Sequence, residues 1–264
     1  GFTYYSNVIS FGGYTNFGAP ALFGGYEYTP IEMNKRDEEA LVDKHNEALK
    51  LLPVLFSENG YDVTVCDVPY ANYNWIPDLS IYDEYPKINT YNTEGLFVEQ
   101  EAKDKLISCN LRNFFCYSIM KTMPLAVQGT LYEHGNYNQA GGSVGQSWID
   151  FAVTEGTNSD FMNAYTVLEN LSNITKITDG DKNTFLVMNN NTTHDPMMLQ
   201  VPGYIPAESV DNTEFYKSNL DLYTIDGTTI KMENNFQLIH YQANMAALIE
   251  LGQWFDYLRE NDVY

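Results

Sequence analysis

The sequence predicts an α/β fold, and three features of its pattern carry that prediction. A helical pattern over 37–59 ends at a glycine, and an alternating, β-branched run over 61–68 follows, which together make half of an α/β unit. An apolar run over 183–191 is typical of a buried strand. A long helical pattern over 233–260 closes the chain. Without an internal repeat or a linker, we expect a single α/β domain over 1–264.

The first predicted helix rests on apolar residues at helical spacing, among them Leu41, Ala48 and Leu55. The strand that follows ends before a stretch over 69–97, which holds three prolines and many Tyr, Asn and Asp residues. That composition predicts a loop.

The middle of the chain is predicted to be mostly helical. A helix is expected over 99–131 with a break near Pro124, and a flexible surface loop is expected over 135–147. Another helix is expected over 159–171, and either Ser159 or its neighbour Asn158 suits its N-cap.

The last third combines a hairpin with the closing helix. Asp226-Gly227 lies between β-forming residues over 223–232, which predicts a hairpin turn. In the closing helix, one apolar stripe is expected to face the core. Its members are Leu238, Tyr241, Met245, Leu248, Ile249, Gly252, Phe255 and Leu258.

The charge of the chain excludes one class of partner. The formal net charge is −21, from 35 acidic and 14 basic residues. Nucleic-acid binding needs Lys and Arg to neutralise phosphates, so no nucleic-acid partner is expected. Small anionic substrates are excluded less firmly, because charge is screened over about 8 Å at physiological salt. The three cysteines, Cys66, Cys109 and Cys116, form no disulfide pattern and are expected to be free.

One uncharged stretch, GGYTNFGAPALFGG over 12–25, stands out near the start. Thr15 lies between a glycine pair and an apolar segment, which allows two roles. It could cap a short helix that runs to Phe23, or it could be a nucleophile on an exposed turn. The stretch alone favours the cap, because a threonine nucleophile needs a base or a metal that no neighbour in it supplies.

His194 is the histidine whose position most suggests function. It follows the predicted strand over 183–191 within the polar tract NNNTTHDP, and ligands of open α/β sheets bind at the carboxyl ends of strands. Asp195-Pro196 is also an ordinary turn signal, so a structural role stays open. Of the other three, His45 is expected on the surface of a helix and His240 in a structural role. His134 is expected on a loop, and its role stays open.

Three landmarks together resemble a known family. Gly12, Thr15 and Pro20 have the spacing of the Gly-x-x-Thr nucleophile segment and its following proline in the alkaline phosphatase superfamily, in the branch of phosphoethanolamine transferases and lipoteichoic acid synthases. The tract leading into His194 is similar to that fold's His-x-Pro, and the closing helix looks like its Tyr-x-x-Asn helix. The landmarks occur in the same order as in the family.

The resemblance implies a three-layer α/β/α sandwich of the sulfatase type and a metal-dependent hydrolase or transferase. Thr15 would be the catalytic nucleophile and a ligand of a divalent metal, Zn or Mn, and His194 would bind the substrate. The substrate would be a small anionic ester or a lipid-linked ester of the cell envelope. The domain would lie on the extracellular face of a bacterial plasma membrane, attached through regions outside this segment.

The chain also departs from the family. An acidic ligand on a strand before the nucleophile and an Asp-His-Gly on a strand after the closing helix are both missing. The resemblance therefore implies a partial domain that lacks its first strand and its C-terminal metal-ligand strand and is inactive alone. The Cys/Ser-x-Pro-x-Arg motif of arylsulfatases is missing too, which favours phosphoesters over sulfoesters.

An alternative function is a non-catalytic extracellular module on the same fold that binds carbohydrate or envelope material. The chain holds 21 tyrosines and three tryptophans, many of them in the Asn- and Tyr-rich stretch over 69–92. Such side chains stack on sugars, and they also serve as ordinary cover over a core.

Overall fold

The computed structural model describes residues 5, 7–132, 153–155, 157–178, 180–219, 222–225, 227–229, 232 and 234–263. Its helices are α1 Thr15–Gly24, α2 Pro30–Met33, α3 Leu41–Glu58, α4 Gln100–Thr122, α5 Leu125–Tyr132, α6 Ser159–Glu169, α7 Leu171–Ile174, α8 Thr213–Ser218 and α9 Asn235–Glu260. Its strands are β1 Asp62–Cys66, β2 Ile88–Tyr91, β3 Val153–Glu155, β4 Thr184–Met188, β5 Ser209–Asp211, β6 Thr224–Ile225 and β7 Thr228–Thr229.

The chain divides into two compact units. The first comprises the described residues within 1–93 and 178–190, and the second those within 94–177 and 191–263. The first unit contains a parallel sheet in the order β2-β1-β4, and α3 packs on it. A mixed α/β fold is thereby confirmed. The three-layer sandwich and the single domain over 1–264 stay predictions.

The helix–strand pair predicted near the start is confirmed and forms the centre of the first unit. The helix begins at Leu41, four residues later than its pattern predicts, and β1 keeps three of its five residues buried. The core of the unit joins α3, β1 and the residues after them: Phe23, Leu49, Val63, Val65, Val68, Ala71, Tyr82 and Ile88. Phe56 and Phe185 stack with ring centroids 4.0 Å apart beside this core.

Two strand predictions need correction. The stretch over 69–97 is not all loop, because Ile88–Tyr91 forms β2 beside β1. Only Ile88 of β2 is buried, so the strand lacked an apolar pattern. The strand over 183–191 is confirmed as β4, but among the described strands it lies at the edge of the sheet, and Leu186 is 45% exposed.

The core of the second unit joins α6 and α9 with the segment after His194. Its buried members are Phe161, Tyr165, Met197, Leu199, Val201, Tyr204, Ala243 and Ala246. Asn158 is the N-cap of α6 and accepts hydrogen bonds from the N–H groups of Asp160 and Phe161. The predicted hairpin is confirmed by the antiparallel pairing of β6 with β7.

The buried face of α9 differs from the predicted stripe. Leu238 and Leu258 are buried as expected, whereas Leu248 is 63% exposed. Gln242 and Glu250 are buried instead, because each has a hydrogen-bond partner elsewhere in the unit. A stripe drawn from apolar residues alone therefore missed part of the packed face.

Other expectations have mixed outcomes. The break between α4 and α5 falls near Pro124 as predicted. Cys66 and Cys116 are free, while the side chain of Cys109, His134 and the loop over 135–147 lie outside the described residues. Within the described part of the chain, no helix combines the length and apolar character needed to cross a bilayer.

Candidate functional site

Thr15 lies in the first turn of α1 and is exposed. The N-cap of α1 is Tyr14, so the capping role considered for Thr15 is wrong. The N–H groups of Phe17 and Gly18 both reach the Tyr14 carbonyl, at 3.0 Å. The N–H groups of Thr15 and Asn16, earlier in the turn, have no acceptor within the helix, which makes this turn a favourable place for an anion.

Gly12 is required by the approach of the preceding turn to α1. A Cβ atom built on Gly12 would lie 2.4 Å from the Cβ of Phe17 and 3.0 Å from the backbone nitrogen of Gly18. Any larger residue at position 12 would therefore push the turn away from the first residues of the helix. The first glycine of the pair before Thr15 thus has a specific steric role.

His45 is wholly buried, so the prediction that it lies on the surface is wrong. Its Nε2 lies 3.1 Å from the carbonyl oxygen of Pro69, which can only accept, so Nε2 must carry the proton. Its Nδ1 has no hydrogen-bond partner among the described residues. Burial lowers the pKa of His45 below its usual value, and the carbonyls of Pro69 and Asn16 offset only part of that effect. The imidazole is therefore neutral at pH 7.

This arrangement places the start of α1 near the carboxyl end of β1. Because α3 ends at Glu58 and β1 begins at Asp62, the early turns of α3 lie towards the end of the strand. His45, in those turns, bonds to Pro69 just after β1. Asn16 of α1 lies beside the same ring. The carboxyl ends of parallel strands are where α/β folds bind ligands.

The loop after β1 holds an unusual backbone. Asp67, Tyr70, Asn72 and Tyr73 all have positive φ angles, of 51°, 58°, 54° and 54°. Each non-glycine residue in that region costs on the order of 1 kcal/mol, and such residues cluster at functional sites. The surrounding contacts must hold this loop in place.

Side-chain amides and carboxylates supply those contacts. Asn46 donates to the Oδ1 of Asn72 at 2.6 Å and accepts from its backbone N–H at 2.9 Å. Asn72 donates in turn to Asp78 at 2.8 Å. Asp67 is buried and accepts from both the backbone N–H and the hydroxyl of Thr93, which joins the ends of β1 and β2.

In the second unit, His194 and Asp195 form a dyad after β4. The Nδ1 of His194 lies 2.9 Å from the Oδ2 of Asp195, and 62% of the His194 side chain is exposed. A carboxylate oxygen can only accept, so Nδ1 carries a hydrogen and donates this bond. Asn158 donates to the Asp195 carbonyl at 3.4 Å. Partial loss of hydration and the Asp195 carboxylate raise the pKa of Asp160 nearby.

The two predicted site residues thus belong to different units: Thr15 to the first and His194 to the second. The structure adds His45, Asn46, Asp67 and Asp195 to them as candidates. Asp67 and Asp195 each follow a strand closely, a signal already used for His194. His45 lies three and four residues before the buried Ala48 and Leu49, so the helical spacing of α3 is the signal that marks it as buried.

A metal centre is not formed by the residues described. Among them, no group of three or more His, Cys, Asp or Glu side chains is arranged to hold a metal ion. No family model matches the chain, and neither a curated protein nor a solved structure matches it.

Proposed function

We propose that this chain forms the nucleophile-bearing part of a sulfatase-like hydrolase or transferase that acts on phosphoesters of the cell envelope. The observation that most supports it is the exposed Thr15 in the first turn of a ten-residue helix, with the strained loop after β1 near that turn. A hydroxyl there has helix N–H groups beside it that favour an anionic substrate. The order of Thr15, His194 and the closing helix along the chain adds to this support.

The proposed reaction starts with the Thr15 hydroxyl. Its Oγ1 forms a bond to phosphorus while the ester P–O bond breaks and its electron pair stays on the leaving oxygen. A water molecule takes the hydroxyl proton as the bond to phosphorus forms and passes a proton to the leaving oxygen, so no proton is gained or lost in the step. An acceptor hydroxyl or water then cleaves the ester on Thr15. The resemblance implies that His194, whose side chain is 62% exposed, would bind the substrate.

The resemblance to the alkaline phosphatase superfamily implies that the enzyme would also need a divalent cation, Zn or Mn, with Thr15 as one ligand. A divalent cation supplies charge that lowers the pKa of a hydroxyl nucleophile. The described residues do not provide its ligand set, so each step above involves only side chains of this chain, substrate and water. The proposed location is the extracellular face of a bacterial plasma membrane, with attachment through regions outside residues 1–264.

Turnover by the full-length natural protein tests the proposal. The wild type is assayed with bis(4-nitrophenyl) phosphate and added Zn or Mn beside Thr15→Ala, Thr15→Ser and His194→Ala. We expect Thr15→Ala to lose turnover by on the order of a thousandfold or more, with partial activity in Thr15→Ser. Thr122→Ala, at an exposed position of α4, is the matched control. Full turnover in Thr15→Ala would overturn the proposal.

The alternative function, a carbohydrate-binding module, is favoured by one observation. Trp75 is 73% exposed, and the Tyr70 ring lies edge-on to it with centroids 6.2 Å apart. Tyr82, in the same stretch, is buried and covers the core. A binding module would lose affinity for soluble envelope glycans in Trp75→Ala and keep it in Thr15→Ala. Equal affinity in both variants would remove this alternative.

A further inference from the structure

Two adjacent side chains of α3 fasten the strained loop after β1. His45 donates through Nε2 to the carbonyl of Pro69 at 3.1 Å. Asn46 makes a two-bond amide pair with Asn72. Tyr70, which lies between Pro69 and Asn72, and Tyr73, which follows Asn72, both have left-handed backbone angles. The loop is therefore bound to α3 on both sides of Tyr70.

His45 differs from Asn46 in what else lies beside it. The ring is wholly buried, stands 5.0 Å from the Tyr73 ring, and has the carbonyl of Asn16 next to it. Asn16 follows Thr15 directly, and α1 packs on α3. The bonds of Asn46 run only to the loop. One imidazole thus touches both the strained loop and the turn that carries Thr15.

We propose that His45 is a positioning residue that holds the first turn of α1 and the loop over 69–73 in one arrangement. Its catalytic consequence rests on the proposed function of Thr15. The ring acts through its shape, which separates the two segments, and through its Nε2–H, which fixes Pro69. It does not contact a substrate, because it is wholly buried.

Three variants separate these contributions. His45→Phe keeps an aromatic ring of similar volume and removes the bond to Pro69. His45→Gln keeps an N–H donor close to the position of Nε2 and is the conservative rescue. Asn46→Ala removes both bonds to Asn72 and leaves His45 in place. It is the matched control, and it also serves if His45→Phe does not fold.

Hydrogen–deuterium exchange of the full-length protein measures, without any substrate, how firmly the loop and the first turn of α1 are held. In His45→Phe we expect about tenfold faster exchange in peptides over 70–74 and over 15–18, with unchanged exchange in β1. His45→Gln should restore slow exchange in both peptides. Asn46→Ala should speed exchange over 70–74 alone. Unchanged exchange over 15–18 in His45→Phe, or faster exchange there in Asn46→Ala, would overturn the proposal.

Kinetics then test the link to Thr15. With the phosphodiester, His45→Phe should lower kcat by about 10- to 100-fold with little change in KM, and His45→Gln should recover most of it. If His45→Phe has a normal kcat while Thr15→Ala is inactive, the positioning role of His45 is contradicted and the proposed function of Thr15 is not. Full activity in Thr15→Ala contradicts the proposed function instead, and the exchange data then decide on their own whether His45 holds the two segments.

Discussion

At His45, burial and hydrogen bonding shift the pKa of the imidazole in opposite directions. Loss of water disfavours the imidazolium, while two backbone carbonyls favour it, and burial prevails. The ring was assigned to the surface because its helix carries many charged residues near it. Helical spacing places the ring on the same side of α3 as Ala48 and Leu49, and the loop after β1 completes its burial.

The lowered pKa predicts a pH dependence of stability. In the unfolded chain a histidine titrates near about pH 6.5, and in the folded protein His45 takes up its proton only at lower pH. Between the two pKa values the unfolded state binds more protons, so the free energy of unfolding falls as pH drops below about 6.5. The slope from this group is at most about 1.4 kcal/mol per pH unit. Urea unfolding between pH 5.5 and 7.5 measures it.

The same titration of His45→Gln isolates this contribution. The difference in unfolding free energy between wild type and variant should shrink as pH falls. A constant difference across the range would show that His45 has the same pKa in both states, against the account of its burial.

Asn158 gives a second prediction for a single residue. Its side chain accepts from two N–H groups at the start of α6, at 2.9 and 3.3 Å. Asn158→Ala should lower the free energy of unfolding by about 1 kcal/mol, because those N–H groups lose an acceptor. Ser159→Ala, one residue later, should change it by less than about 0.5 kcal/mol. Equal costs in chemical denaturation would contradict the assignment of Asn158 as the cap.

At the scale of elements, α9 carries a buried carboxyl group in its packed face. Glu250 accepts a hydrogen bond from the Tyr165 hydroxyl at 3.1 Å, in a pairing of residues 85 positions apart. Burial raises the pKa of Glu250, and the nearby Glu169 carboxylate adds to that effect, while the Tyr165 bond opposes it. The ionised form of Glu250 therefore weakens the folded state near pH 7.

Glu250→Gln should stabilise the protein at pH 7 and not at pH 4. The folded pKa lies above the unfolded value, so the stability that the protonated carboxyl provides is present at low pH and lost as pH rises through the folded pKa. Glutamine keeps an acceptor for Tyr165 without the charge. We expect a gain of about 1 kcal/mol at pH 7 in urea unfolding. A loss at pH 7 that persists at pH 4 would contradict this reading of α9.

Only some of the helices and strands could be predicted from the sequence. Periodicity predicted α3, β1 and the closing helix, because each carries its own apolar pattern. It missed β2, whose four residues include one buried side chain, and it placed β4 in the interior although its side chains are half exposed. It misjudged the face of α9 because Gln242 and Glu250 are satisfied by partners far away in the sequence.

The candidate site was predictable to the same degree. Thr15 stood out as a hydroxyl in a glycine-flanked, uncharged stretch, and its place in the first turn of α1 agrees with an exposed hydroxyl rather than a cap. Asp67 carried the signal used for His194, a place just after a strand. Asn46 and Asn72 could not be found, since their roles depend on bonds between α3 and a loop with left-handed residues.

The large negative net charge of the molecule affects the stability of its folded state. A charge of −21 on 264 residues makes the compact state repel itself, and salt screens that repulsion. Raising NaCl from about 10 to about 150 mM should therefore raise Tm by a few degrees. Choline chloride at equal ionic strength should do the same, because screening does not depend on the cation. A fall in Tm with salt would contradict this view of the charge distribution.

In the proposed reaction, Thr15 becomes covalently linked to the substrate's phosphorus. The most direct measurement is peptide mass spectrometry of the full-length protein, acid-quenched during turnover of bis(4-nitrophenyl) phosphate with Zn or Mn. We expect a 4-nitrophenylphosphoryl or phosphoryl adduct on the peptide that contains Thr15, and none in Thr15→Ala. An adduct on another residue, or turnover by Thr15→Ala at the wild-type rate, would contradict it.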